Sequence, residues 1–183
     1  MLRIVAGKWR GRRLHTVPGR QVRPTADRVK ESLYNVLQGR VEGGRVLDLY
    51  AGSGNLGLEA LSRGARRAVL VERDAGALAV LRRNVAALAA QDETDVVHAD
   101  ALRYLASRHP EPFDLILADP PYDAGVEAVL LGAARGPLLG PGGCFVLQHS
   151  RRWTAPRDLP DLALWRSKRF GDTVVDFFVR EGS

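Results

Sequence analysis

An aspartate, two prolines and an aromatic residue, Asp119, Pro120, Pro121 and Tyr122, directly follow an apolar run from Leu115 to Ala118. Consecutive prolines fix an extended turn and remove two amide donors, leaving carbonyl groups that only accept. Such a corner suits an amine. The exocyclic amino group of a nucleobase is a poor nucleophile because its lone pair is delocalised into the ring. Acceptors at Asp119 and at the Pro120 carbonyl can hold both of its hydrogens and favour a more tetrahedral nitrogen, while Tyr122 stacks on the base, a contact worth about 1–3 kcal/mol. A plain turn after a strand is the competing reading, but it requires neither an acid before the prolines nor an aromatic after them.

A second group of residues can bind a nucleoside. Gly52, Gly54 and Gly57 have the G-x-G-x-x-G spacing, and Glu72 lies 20 residues after Gly52, as in dinucleotide-binding turns. Glycines let a ligand approach the backbone, and the start of a helix offers free amides. A carboxylate at Glu72 can hold the two hydroxyls of any adenosine ribose, so the pair does not say which cofactor. Two further acids help. Asp48, four residues before Gly52, suits the ammonium of a methionine moiety better than a pyrophosphate. Asp100 precedes Ala101, where its carboxylate can accept from an adenine amino group while the next backbone amide donates to the ring. Both placements favour S-adenosylmethionine over NAD, although either acid taken alone is as readily a loop cap.

These residues need a frame that brings strand ends together, and the pattern supplies one. Short apolar runs at Arg45–Tyr50, Ala68–Glu72, Asp95–His98, Phe113–Asp119 and Cys144–His149 read as strands. They alternate with helical stretches at Leu56–Arg63, Ala75–Ala90, Ala101–Ser107 and Val126–Ala134, the signature of a parallel α/β sheet. Leu162–Arg169 and Thr173–Arg180, turning around Gly171, read as an antiparallel hairpin closing one edge. Thr25 can cap a helix carrying Val29, Leu33, Val36 and Leu37 until Gly39 stops it. Residues 1–23 alternate weakly between glycines and suggest a short hairpin.

Charge separates the ends of the chain. The formal net charge is +6, yet residues 1–30 alone carry +8 and the other 153 sum to −2. A cationic arm on a nearly neutral body is the footprint of a polyanion binder, with nucleic acid ahead of a membrane surface. At 183 residues one domain with a short extension is expected: a basic RNA-binding extension over 1–24 and a catalytic domain over 25–183. The lone Cys144 and the absence of an early apolar run lead to the expectation of a cytoplasmic protein. No stretch approaches the roughly 20 apolar residues of a membrane span. His15, His98, His109 and His149 lack metal-ligand spacing, so no metal is expected.

Several motifs, in order, resemble one known family. They are RIVAGKWRGRRL at 3–14, RPTADRVKESLYNVL at 23–37, LDLYAGSGNLGLEALSRG at 47–64, Val71 with Glu72, Asn84, and DPPY at 119–122. The chain is similar to the RsmD-type 16S ribosomal RNA guanine-N2 methyltransferases, within the Rossmann-like methyltransferases. DPPY is shared with adenine-N6 methyltransferases, whereas the RPT helix and basic opening point to ribosomal RNA. After Ser150 the resemblance fades.

The resemblance implies a Rossmann-like, mainly parallel sheet with a C-terminal antiparallel hairpin and a basic N-terminal hairpin and helix. It implies that Asp48, Gly52, Gly54, Glu72, Asp100, Ala101, Arg23 and Thr25 bind S-adenosylmethionine, which leaves as S-adenosylhomocysteine. Asp119, Pro120 and Tyr122 would present a flipped guanine, Pro121 would line its pocket, and Arg3, Lys8, Arg10, Arg12 and Arg13 would grip 16S rRNA in the small subunit or an assembly intermediate. A monomer is expected. The other readings are an adenine-N6 methyltransferase on DNA or RNA, a noncatalytic RNA-binding assembly factor and, last, a nicotinamide oxidoreductase.

Overall fold

The computed structural model describes residues 2–17, 19, 26–121, 125–134, 136–156, 159 and 161–180. Its centre is a seven-stranded sheet built from β3 (Arg45–Leu49), β4 (Arg67–Glu72), β5 (Thr94–His98), β6 (Phe113–Ala118), β7 (Leu139–Ser150), β8 (Leu162–Phe170) and β9 (Thr173–Arg180). The spatial order is β5-β4-β3-β6-β7-β9-β8. Strands β3 to β7 pair in parallel, and β9 runs antiparallel between β7 and β8. The chain therefore moves outward from β3 in one direction, then returns to start again at β6. That reversal opens a crevice at the carboxyl ends of β3 and β6, the place where open α/β sheets bind ligands.

Strands covered on both faces read as continuous apolar runs, and alternate residues serve opposite cores. Val46, Leu70, Leu115, Leu117 and Val146 face one layer, formed by α1 (Ala26–Val36), α2 (Gly57–Ser62) and α3 (Ala75–Ala87). Leu47, Leu49, Val71, Ile116 and Phe145 face the other, formed by α4 (Ala101–Ala106) and α5 (Val126–Ala134). Among the described residues no helix is long and apolar enough to cross a membrane.

Two boundaries differ from the sequence reading by more than one residue. Strand β7 begins at Leu139 rather than Cys144, because the glycine- and proline-rich run at 140–143 is accommodated as an irregularity. Phe113 pairs with Leu139 and Leu115 already with Cys144. Helix α3 stops at Ala87, and Ala89 takes a positive φ of 53°, so alanine content alone overran the end.

The N-terminal hairpin forms as expected. Strand β1 (Leu2–Arg3) pairs antiparallel with β2 (Arg13–Leu14), and Leu2, Ile4 and Leu14 are buried within the first core. Its seat is polar. The amides of Val5 and Ala6 donate to the two carboxylate oxygens of Glu59 at 2.8 and 3.0 Å. Lys8 and Trp9 donate their amides to the Ser62 carbonyl and hydroxyl at 2.8 and 3.0 Å. Glu59 is fully buried, with the 1%-exposed ammonium of Lys30 3.1 Å away and the Arg63 guanidinium at 2.8 Å. Burial pushes the Lys30 ammonium below the ordinary lysine range, and the Glu59 charge opposes that push. Lys30, counted above among the arm's cations, is thus an interior residue. Removing one member of such a pair leaves an uncompensated buried charge, which costs about 3–5 kcal/mol.

Two glycines of the hairpin share a φ of +82°, but a Cβ on Gly7 would stand 1.6 Å from the Ser62 carbonyl oxygen, whereas one on Gly11 meets nothing within 4 Å. Gly11→Ala is therefore expected to cost about 1 kcal/mol, the strain of the left-handed backbone. Gly7→Ala is expected to cost at least twice that and to lift the hairpin from α2. Urea midpoints measure both, and equal costs would show that the hairpin is not seated in solution.

Candidate active site

The turn after β3 is shaped by a few unusual backbone angles and by carboxylates that accept from its amides. Tyr50 has a φ of 65°, Gly52 57° and Gly54 85°. Tyrosine rarely adopts such a conformation, and backbone strain of this kind concentrates at functional sites. The Gly52 amide donates to Glu72 Oε2 at 2.9 Å, and the Asp74 amide to Oε1 at 2.7 Å. The Gly57 amide donates to Asp48 Oδ2 at 2.7 Å. Gly57 has no room for a side chain, since a Cβ there would lie 2.2 Å from Leu70. The third glycine therefore serves the packing of α2 on the sheet.

Register brings the acids to one edge. Leu49 lies opposite both Val71 and Ala118, and Glu72 opposite His98, so Asp48, Glu72, Asp100 and Asp119 all stand at the carboxyl ends of adjacent strands. Asp48 is 2% exposed. Burial pushes its carboxyl from 3.8 up to about 7; the Gly57 amide counteracts this, while the charges of Asp119 and Glu72 reinforce it. Register places the start of the tetrad beside the glycine turn, since Ala118 lies opposite Leu49. Asp119 and Pro121 are exposed and Pro120 is buried. Tyr122, Arg23 and Thr25 lie outside the described residues.

Asp100 caps α4, its Oδ1 accepting from the amides of Leu102 and Arg103 at 3.0 and 3.1 Å. Its Oδ2 lies 3.9 Å from Arg73 Nη1, and Ala101 is buried beside it. The cap and an adenine contact are compatible, because each carboxylate oxygen has two lone pairs. The donor set also tests which nucleoside fits. Four carboxylates stand at the turn and the neighbouring strand ends; Glu72 suits the ribose of any adenosine cofactor, whereas a pyrophosphate at the turn would meet like charge at Asp48. A cationic sulfonium and ammonium with a ribose diol would meet complementary charge. The residues fit S-adenosylmethionine.

The family model described as "Conserved hypothetical protein 95" matches residues 2–179. This is the RsmD-type methyltransferase family. The chain belongs to it. It is 36% identical over 184 residues to the Bacillus subtilis protein named "Putative rRNA methyltransferase YlbH", covering 99% of this chain and all of that one. It is 42% identical over 125 residues to the Escherichia coli "Ribosomal RNA small subunit methyltransferase D", a match spanning 68% of this chain and 62% of that protein. The solved structure "Putative methyltransferase yhhF from Escherichia coli" superposes with a TM-score of 0.89 at 33% identity, over all of this chain and 99% of that one. The Rossmann-like sheet, its antiparallel C-terminal hairpin and the methyltransferase class are those of the family.

Asn84, named above in the resemblance, and Lys30, within the 23–37 motif, have partners beside the glycine turn that only the fold reveals. Asn84 is fully buried on α3; its amide exchanges two hydrogen bonds with the His15 backbone and donates a third to the Ser53 carbonyl at 2.8 Å. Lys30 reaches Asn55 of the same turn. In both cases the sequence signal was a polar residue on an otherwise apolar helix face. Among the described residues no group of three or more His, Cys, Asp or Glu could hold a metal. His149 pairs with Asp176 at 2.9 Å, which ties β7 to β9.

The raised Asp48 carboxyl fixes a stability profile. The folded state holds this proton to a higher pH than the unfolded chain does. Asp48 therefore costs nothing below about pH 4, costs more as pH rises to about 7, and costs a constant amount above that. Asp48→Asn keeps an acceptor for the Gly57 amide and removes the charge. Its melting temperature should exceed the parent's at about pH 8, by the equivalent of about 2–4 kcal/mol, and converge with it near pH 4. A variant melting lower at about pH 8 would show that the charge stabilises the fold.

Proposed function

We propose that this chain transfers a methyl group from S-adenosylmethionine to the exocyclic N2 amine of a guanine in 16S rRNA, acting as a cytoplasmic monomer on the small ribosomal subunit or an assembly intermediate. The observation that carries this reading is the register of β3 against β6, which brings the end of β3 at Leu49 and the start of the DPPY tetrad together at the strand-order reversal; it supports an amine-binding corner next to a carboxylate suited to a cation. The names of the similar Bacillus subtilis and Escherichia coli proteins support ribosomal RNA as the substrate. The basic hairpin supports a polyanion.

Asp48, Gly52 and Gly54 would hold the methionine end of the cofactor, Glu72 the ribose, and Asp100 with Ala101 the adenine; Arg23 and Thr25 would close over it. The cofactor supplies an electrophilic methyl group. The chain's own residues do the rest. Ionised Asp119 accepts one hydrogen of the amine and the Pro120 carbonyl the other, which fixes the nitrogen lone pair in direction. Asp119 then takes the proton that the alkylated nitrogen sheds. Orientation of this kind supplies roughly 7–11 kcal/mol of a barrier, so no strong base is needed. Tyr122 and Pro121 would sandwich the base once it leaves its stack, as enzymes acting on a base require. Arg3, Lys8, Arg10, Arg12 and Arg13 are exposed on the hairpin and would contact phosphates, so that affinity falls with salt.

Nucleoside mass spectrometry after incubation with small subunits from cells lacking the protein should show N2-methylguanosine. N6-methyladenosine in its place would move the substrate to adenine, and unmodified nucleosides would remove the enzymatic reading. Asp119→Ala should lower turnover by about 10²- to 10⁴-fold with subunit affinity retained. Full biological activity of that variant would instead identify an assembly factor.

A further inference from the structure

The basic hairpin and the glycine turn are held by the same two buried side chains. Asn84 uses both functions of its amide: Oδ1 accepts from the His15 amide at 2.8 Å, and Nδ2 donates to the His15 carbonyl at 3.0 Å and to the Ser53 carbonyl at 2.8 Å. Lys30 spends its three donors in the same divided way. Nζ lies 2.5 Å from the Arg3 carbonyl, 2.7 Å from Asn55 Oδ1 and 3.1 Å from Glu59 Oε2. Arg3 and His15 flank the two ends of the hairpin, and Ser53 and Asn55 flank Gly54. Each clamp therefore joins one end of the hairpin to one side of the turn, through a residue at most 1% exposed.

We infer that Lys30 and Asn84 are positioning residues that couple the hairpin to the glycine turn, so that cofactor and RNA bind cooperatively. This deepens the RNA-methyltransferase reading and rests on it. A buried amide or ammonium that loses a partner has no water to replace it. When the turn shifts, Asn84 and Lys30 lose bonds that also hold the hairpin, and the reverse is equally true. A ligand that fixes the turn removes part of the ordering cost that a ligand on the hairpin would otherwise meet, which is positive coupling through shared order. Linkage makes the effect reciprocal: RNA must raise cofactor affinity by the factor by which cofactor raises RNA affinity. The arrangement makes the empty enzyme a poor RNA binder and directs it to the substrate already loaded.

The test uses S-adenosylhomocysteine and small subunits from cells lacking the protein. In the parent chain S-adenosylhomocysteine should tighten subunit binding at least about fivefold and slow hydrogen exchange at the Val5, Ala6 and His15 amides. In Asn84→Ala and Lys30→Met the affinity ratio should fall to about one. Leu78→Ala, which removes buried packing from the same helix, should lower the melting temperature and keep the ratio, separating coupling from stability. Exchange at these amides that ignores bound S-adenosylhomocysteine in the parent chain overturns the inference, even if both variants fail to fold. Subunit binding with a ratio of one overturns it as well and leaves the RNA reading standing. Slowed exchange without any subunit binding removes the RNA reading of the hairpin and with it the cooperative binding inferred here.

Discussion

Carboxylates crowded at the carboxyl ends of parallel strands are the constraint on which this molecule turns. Burial disfavours charge at Asp48, and Asp48 and Glu72 are each held by an amide of the glycine turn, from Gly57 and Gly52 respectively. The bonds act in both directions. They give the acids partners, and they fix the backbone of a turn that must run through positive φ at Tyr50, Gly52 and Gly54. A turn without the acids would lack its anchors, and without the turn Asp48 would lose its bond from Gly57 and Glu72 would keep only the Asp74 amide. The charges of Asp119 and Glu72 add to the burial that raises the Asp48 carboxyl.

The second organising feature is the polar underside of the hairpin. An apolar seat alone would have held Leu2, Ile4 and Leu14 against the body, yet Glu59, Ser62, Lys30 and Asn84 add directional bonds to its backbone. Buried ionic groups are weak contributors to net stability, because desolvation offsets their attraction. What they contribute is position. Glu59 accepts from two consecutive hairpin amides while facing Lys30, so the hairpin has one register on α2 and one distance from the glycine turn. The exposed arginines of the hairpin thereby gain a fixed position that another apolar contact would not supply.

How much of this was legible in the sequence follows from the physics of each element. Strands β3, β4 and β6 are buried on both faces, so their apolar runs were unambiguous, and the glycine turn and DPPY tetrad carried their own chemistry. The start of β7 was hidden because glycine and proline at 140–143 read as loop when taken without the partner strand. The hub residues were harder. Lys30 falls on the stripe of Val29, Leu33, Val36 and Leu37, and Asn84 lies between Leu81 and Val85 of α3; both are polar residues at apolar positions, a signal visible only if each is asked for its partner. Glu59 sits among Leu58, Ala60 and Leu61 in a helix buried on every side. Arg63 pairs with it at i+4, but its partners in the hairpin are backbone amides 53 and 54 residues away, which no spacing rule reaches.

Protonation adds a last step. Near the working edge of the sheet, His149 and Asp176 join β7 to β9, two residues beyond Leu147, which pairs with Ala118 just before the tetrad. Burial works to lower the His149 pKa, but the bond to Asp176, the Ser150 carbonyl and the Asp176 charge outweigh it, and the net shift is upward. The pair therefore contributes fully below the ordinary value of 6.5 and fades as pH rises through the raised one. Asp48 acts in the same direction, since its deprotonation toward pH 7 adds a buried charge. Both groups make the edge most stable when protonated. Stability at this edge therefore falls as pH rises toward neutrality, and the bond from the Gly57 amide is what moderates the cost of the ionised Asp48 in the interior.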